Sequence, residues 1–294
     1  MIELQEGVLP EVDQRNPYAV VAITKHGVQI GRRLQQTFAA SDLYYMSKFE
    51  QGDEAEKHIQ LFTGTVRLLL PTLFKQYKGL ILIISLGGAV VRMIAPILKD
   101  KKTDPGVVVI DDRGGENVIS VLSGHLGGAN ELTHEVAAAL GANPIITTAS
   151  DVQKTIPVDL FGARFGWVWD SADKLTPVSA SVVNEEHVAI VQETGERDWW
   201  MRDTPMPEQI KIYPSTQAAI QAAPPHATLL ITDRIIEPEE EVLLENGVIY
   251  RPKSIVLGMG CNRGTSLEEI EQVIDETLAE LKLSKKKCES LMHD

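Results

Sequence analysis

The stretch Val118-Ile119-Ser120-Val121-Leu122-Ser123-Gly124-His125-Leu126-Gly127-Gly128-Ala129-Asn130 decides how the first half of this chain is read. A β-branched run stops abruptly in Ser-Gly-His-Leu-Gly-Gly, and a helical pattern begins just beyond it. A strand that breaks into glycines and then enters a helix marks an α/β unit with a ligand loop at the strand end. Glycines at a helix start leave backbone N–H groups unshielded by side chains, which suits an anionic group or a developing oxyanion. His125 adds a side chain that can take and give a proton near neutral pH. The same residues also suit a tight strand-to-helix turn in which His125 caps a carbonyl, and this segment alone leaves both readings open.

Outward from that stretch, short β-branched runs alternate with segments of 3.6-residue period, the pattern of a mostly parallel sheet with crossover helices. Strands are expected at residues 18–24, 42–46, 80–85, 106–110, 118–122 and 144–147. A helix is expected at 27–38, with Ile30, Leu34 and Phe38 on one face. Another is expected at 59–77, carrying Leu61, Val66, Leu69, Leu70 and Leu73 and kinked or divided by Pro71. Asp111-Asp112-Arg113-Gly114-Gly115-Glu116-Asn117 is rich in turn residues and favours an antiparallel hairpin between its flanking strands, so the sheet is mixed.

Residues 1–150 therefore read as an N-terminal α/β domain. The pattern loosens over 151–250, with Trp167, Trp169, Trp199 and Trp200 among Pro-rich breaks, and a smaller second α/β domain is expected there. A partial third domain spans 251–294: a strand from Ser254, a glycine turn, and a helix over about 267–283 opened by a capping box of Ser266 and Glu269. One strand and one helix cannot enclose a core, so this piece docks on the rest or reads as the shortened start of a C-terminal domain.

With 294 residues, 44% of them hydrophobic, the chain can bury one good core or two. A formal charge of −13 leaves no footprint for nucleic acid or an anionic bilayer, both of which bind clustered Lys and Arg. Lys285-Lys286-Lys287 reads as a solvated tail. Cys261 and Cys288 fit neither a disulfide framework nor a metal spacing, which points to a reducing cytosol. No apolar signal region follows Met1, and the longest apolar run, 79–91, is too short to span a bilayer. A cytoplasmic protein is expected.

Four loops follow predicted strands and are rich in small and polar residues: Thr24-Lys25-His26-Gly27, Ser85-Leu86-Gly87-Gly88, the segment 123–128, and Thr147-Thr148-Ala149-Ser150-Asp151. Ligands in open α/β sheets bind at the carboxyl ends of strands, so the four are expected to line one cleft. Arg92, just past the double glycine, is placed to pair with a ligand carboxylate or with an acid elsewhere in the chain. Ser123 lacks a Gly-x-Ser-x-Gly elbow and reads as a turn or hydrogen-bonding residue, with a nucleophile as the other reading. Glu131 complements the helix dipole, and His134 faces away as a surface residue. Gly258-x-Gly260-x-x-x-Gly264 invites a dinucleotide reading, but its spacing is off by one and no second strand with an acidic end follows. Cys261 in that turn reads as a packed thiol.

Together, Ile23-Thr24 with Gly27, the run from Gly87-Gly88 to Arg92 and Pro96, Asp104-Pro105-Gly106 through Asp111, the block from Ile119 to Ala142, and Ile145 through Thr147-Thr148 to Asp151 closely resemble the cobalamin biosynthesis protein CbiG family. Leu257 to Thr265 is similar to the opening of that family's C-terminal domain. The resemblance implies a cobalt-precorrin-5A hydrolase of the oxygen-independent vitamin B12 route, which opens a δ-lactone and releases acetaldehyde to give cobalt-precorrin-5B. It implies no cofactor, because the cobalt arrives inside the tetrapyrrole substrate. On that reading His125 is the general base, Gly127 and Gly128 supply oxyanion amides, and Asp151 or Glu131 orients the imidazole. Arg92 with Lys25 or His26 holds substrate carboxylates, while Gly87, Gly88, Asn130, Thr147 and Thr148 complete the binding surface. Contacts with neighbouring pathway enzymes and a homo-oligomer stay open. A non-catalytic tetrapyrrole carrier is the alternative, and a nucleotide-binding oxidoreductase a weaker one.

Overall fold

The computed structural model describes residues 1–222 and 224–285, in two units that divide between Thr148 and Ala149. The elements of the first unit are β1 (Ile2–Glu3), β2 (Tyr18–Ala22), α1 (Lys25–Thr37), β3 (Ser41–Met46), β4 (Gln60–Thr63), α2 (Val66–Gln76), β5 (Gly79–Ile83), α3 (Val91–Ile94), β6 (Gly106–Ile110), β7 (Asn117–Leu122), α4 (Ala129–Leu140) and β8 (Asn143–Ile145). Its eight strands form one sheet in the order β1-β4-β3-β2-β5-β6-β7-β8. Neighbours run parallel except β6 and β7, which are antiparallel. The mostly parallel mixed sheet with crossover helices is thus as expected.

Packing explains the sequence of each element. β5 and β6 are buried at every residue, as continuous Leu, Ile and Val runs must be when helices cover both faces. Val28, Ile30 and Leu34 of α1 join Leu132 and Val136 of α4 over Val20, Leu43, Ile81 and Ile83. On the other face Leu69, Leu70 and Leu73 of α2 and Ile94 of α3 pack on Val21, Tyr44, Leu82 and Val107.

The single helix expected over 59–77 is instead β4, a turn, and α2. Leu61 and Phe62 point to opposite hydrophobic layers, an alternation only a strand produces. Gly64 makes the turn at φ 93°, where an added Cβ would lie 2.9 Å from the Leu4 carbonyl oxygen. α2 then runs on through Pro71 as one helix, so the proline does not divide it.

The expected hairpin is present, and Asp111 holds it. Its carboxylate accepts the backbone N–H groups of Gly114, Gly115, Glu116 and Asn117 at 2.7–2.9 Å. Burial pushes this carboxyl up, but the four amides outweigh it and leave it below the ordinary carboxylate range. In the ladder Val118 sits opposite Ile110 and Leu122 opposite Val107. β7 and its parallel neighbour β8 therefore end at the rim of the sheet where β2, β5 and β6 begin.

The second unit carries a five-stranded sheet in the order β11-β10-β12-β13-β9, from β9 (Val168–Trp169), β10 (Val188–Gln192), β11 (Ile210–Tyr213), β12 (Ala227–Ile231) and β13 (Gly247–Arg251). Only β9 runs antiparallel to its neighbour. Its helices are α5 (Ala149–Val152), α6 (Leu175–Val183), α7 (Thr216–Gln221) and α8 (Leu267–Glu280). Phe161 meets Trp167, Trp199 and Tyr250 edge-on at 5.0–5.7 Å between ring centres, which gives the tryptophan-rich stretch its role as core. Arg234 bridges Glu193 and Glu240 at 2.8 and 2.6 Å across the strand ends.

The strand expected from Ser254 does not form: residues 252–262 carry no strand, and Val256 is 87% exposed. Without a described neighbour to pair with, an extended segment makes no ladder. The helix beyond it begins as expected, with the Ser266 hydroxyl accepting the Glu269 N–H at 3.1 Å. Lys286, Lys287 and Cys288 lie outside the described residues, and Cys261 is exposed rather than packed. Among the described residues no helix is long and apolar enough to cross a membrane.

Candidate active site

The loop from Ser123 to Gly128 is built by its own backbone. Gly128 N–H donates to the His125 carbonyl at 2.9 Å, Ala129 N–H to Ser123 at 3.2 Å, and Asn130 N–H to Gly124 at 2.9 Å. Three glycines make this closeness possible. A Cβ on Gly127 would lie 2.4 Å from Ser123 Cβ, one on Gly124 2.7 Å from Asn130 Oδ1, and one on Gly106 2.5 Å from the Gly127 carbonyl oxygen. Gly128 precedes α4 in the left-handed region, at φ 75°.

This geometry takes Gly128 out of the oxyanion reading. The amides of Gly128, Ala129 and Asn130 are the ones a helix start would aim at an anion, and all three are satisfied by carbonyls of the loop itself. Ser123 is held at φ 53°, and its Oγ is buried with no hydrogen-bond partner. A hydroxyl so enclosed is a poor nucleophile, and the geometry favours the turn reading of Ser123.

Asn130 is a clamp inside the fold. Only 8% exposed, it accepts the Ser120 hydroxyl at 2.6 Å and donates to Thr148 Oγ1 at 2.9 Å. It ties β7 and the segment after β8 to the start of α4. Ser120 and Gly106 belong to this construction and carried no signal of their own, being one serine in a strand and one glycine at a strand start. Thr147 is exposed and Thr148 half-buried at the same rim, beside a half-buried His125. Glu131 and His134 are exposed on α4.

The other expected binding residues stand elsewhere. Thr24 caps α1 by accepting Gly27 N–H at 3.0 Å, which leaves Lys25 and His26 exposed on the first turn. Gly87 and Gly88 lie in a π-type turn, Leu86–Val90, that leads into α3 and an exposed Arg92. These follow the carboxyl ends of β2 and β5, whereas the His125 loop follows β7. Because the hairpin reverses β7, the two groups occupy opposite rims, separated by a five-residue strand of about 17 Å. The single cleft is overturned: His125, Asn130, Thr147 and Thr148 come together, and Lys25, His26, Gly88 and Arg92 do not join them. Asp151 belongs to the second unit, where it meets Arg202 at 3.4 Å.

Comparison with known proteins assigns the chain. Models described as cobalamin synthesis G N-terminal, cobalamin biosynthesis central region and cobalamin synthesis G C-terminus match residues 69–151, 156–252 and 255–292. A cobalt-precorrin-5A hydrolase of Priestia megaterium is 68% identical over 291 residues, which cover 99% of this chain and 77% of that protein. The chain belongs to the CbiG family. A second relative, the cobalt-precorrin-5A hydrolase of Salmonella typhimurium, is 30% identical over 90% of this chain and 71% of its own length. The crystal structure of a cobalamin biosynthesis protein G homolog from Sulfolobus solfataricus aligns with a TM-score of 0.42 at 21% identity, covering 92% of this chain and 71% of that one. Within this CbiG chain, the N-terminal family match begins in α2 and takes in both rims of the larger sheet.

Proposed function

We propose that this chain is a cobalt-precorrin-5A hydrolase of cobalamin biosynthesis, acting on its tetrapyrrole at the rim that carries His125. The observation that carries the reading is the 68% identity, over nearly the whole chain, to a relative of that name. Water attacks the lactone carbonyl while His125 takes its proton. The ring opens to a carboxylic acid and an alcohol as His125 returns the proton to the departing alkoxide, and the acid gives its own proton to solvent. The alcohol then loses its proton and the C–C bond to the macrocycle breaks. Acetaldehyde leaves, and the electron pair passes to the macrocycle, which is protonated.

With the Gly128 amide taken by the His125 carbonyl, the oxyanion site calls for a donor beyond that of Gly127. Thr148 supplies one: its Oγ1 accepts from Asn130, so its own O–H points elsewhere and can meet the lactone oxygen. The preference for His125 over His26 rests on rigidity. The loop of His125 is pinned on both sides by backbone bonds and close glycines, whereas His26 stands on an open first turn. Cobalt enters as part of the substrate, and the chemistry calls on no protein-bound metal.

Incubation of the purified chain with cobalt-precorrin-5A, with acetaldehyde as the readout, tests the assignment. His125→Gln is expected to lose turnover and His26→Gln to keep it. The reverse pattern would move the reaction to the opposite rim, and binding without acetaldehyde from the unaltered chain would mark a carrier.

A further inference from the structure

The His125 rim has a neighbour that no part of the reaction yet uses. Between the end of α2 and residues 96–105 lies a groove of about 920 Å³, within the range of small-molecule sites. Pro71, Phe74, Ile97, Leu98 and Pro105 make its apolar surface, and Lys75 and Lys99 stand at its edge. Lys78 and Lys102 are exposed close by in sequence, and among the described residues none of these four lysines forms an ion pair. Two carboxylates, Asp100 and Asp104, stand near these four lysines, which leaves an excess of positive charge. Asp104 is buried and accepts the Lys99 backbone N–H at 2.9 Å, while Asp100 is exposed and caps Lys102 N–H at 2.8 Å.

In a chain of formal charge −13, this is a local reversal of sign around an apolar floor. We infer that the groove holds the tetrapyrrole by its flat apolar body, with Lys75 and Lys99 pairing with peripheral carboxylates. The inference rests on the proposed reaction for the identity of the ligand, and on position for the rest. Pro105 lines the groove, and the next residue, Gly106, packs against the His125 loop so closely that a Cβ there would lie 2.5 Å from the Gly127 carbonyl oxygen and 3.0 Å from the Ala129 amide nitrogen. A macrocycle seated there lies on the same rim as the proposed base. Arg92, Lys25 and His26, at the opposite rim, are not placed to do this work.

The test uses the full chain and two readouts. Binding of uroporphyrin, an octacarboxylate porphyrin, is followed by fluorescence for the unaltered chain, for Lys75→Gln/Lys99→Gln, and for Lys211→Gln as a control on the second sheet. The double variant is expected to bind about tenfold more weakly, the equivalent of one charge-assisted contact. It should also raise KM for cobalt-precorrin-5A by a similar factor with kcat unchanged, because the contacts act equally on ground and transition states. A double variant with native circular dichroism and unchanged Kd and KM overturns the inference. The hydrolase reading fails separately, if the unaltered chain yields no acetaldehyde while lysine-dependent porphyrin binding persists.

Discussion

The Cβ position of Gly106 falls 2.5 Å from the carbonyl oxygen of Gly127, so the first residue of β6 and the loop bearing His125 meet with no room for a side chain. The loop's shape is therefore set by the strand beside it, and small changes on either side are expected to reach the imidazole.

Gly127→Ala tests that coupling. Its Cβ would stand 2.4 Å from Ser123 Cβ and 2.8 Å from the Ser123 carbonyl, neither of which is the end of a flexible side chain. Overpacking of this kind costs about 1–3 kcal/mol. A lower urea midpoint together with reduced acetaldehyde release is expected; an unchanged midpoint would mean the loop has slack.

His125→Ala should lower kcat by roughly a hundredfold to ten-thousandfold, the usual yield of a general base, while binding changes little. Single-turnover acetaldehyde release alongside a porphyrin titration separates the two effects.

Asn130→Ala removes a clamp that joins Ser120, Thr148 and the start of α4, and it strands two hydroxyls and a cavity inside the fold. A loss of about 1–3 kcal/mol is expected from unsatisfied buried groups. If Thr148 is the oxyanion donor, Thr148→Val should lower kcat with little change in melting temperature, whereas Asn130→Ala should lower both.

Acid should weaken both units in the same window. Burial pushes the Glu54 carboxyl up, but the Tyr45 hydroxyl and the amides of Gln51 and Gly52 outweigh it and bring it down to about 2. Arg234 holds Glu240 at about 2 as well, against the opposing effect of burial. Both values are depressed on folding, so the stabilisation is complete above the ordinary carboxylate value of 4.5 and is lost as pH falls through about 2. Melting temperatures measured from pH 6 to 2 should fall over that interval. Glu54→Gln and Glu240→Gln should each flatten the slope, and an unflattened slope in both would count against these two sites.

Much of this architecture is legible in the sequence because burial imposes it. Runs such as Gly79–Ile83 and Gly106–Ile110 can only be central strands, and the turn chemistry of residues 111–117 announces the hairpin. β4 escapes notice because its apolar pair, Leu61 and Phe62, is separated by only three residues from the apolar run of α2, so a four-residue strand reads as the start of the next helix. The expectation of one cleft fails for a reason equally present in the sequence: a hairpin sends the strand after it back to the opposite rim. The glycines of the His125 loop are visible as glycines, but what each one makes room for depends on β6, from a neighbouring stretch of chain, and on Asn130. The lysine-rimmed groove was illegible because residues 71–75 and 96–105 become neighbours only through the fold.

The turn tied by Asp111 also bears on the order in which the sheet assembles. Its closing pair, Ile110 with Val118, is eight residues apart, whereas β2 meets β5 across 61 residues, from Tyr18 to Gly79. Short chain closures are fast and cost little entropy, so the reversal is expected to be in place before the long-range strands find their partners. The direction in which the His125 loop faces is then inherited from an early local event, and the remainder of the sheet grows onto an orientation already chosen.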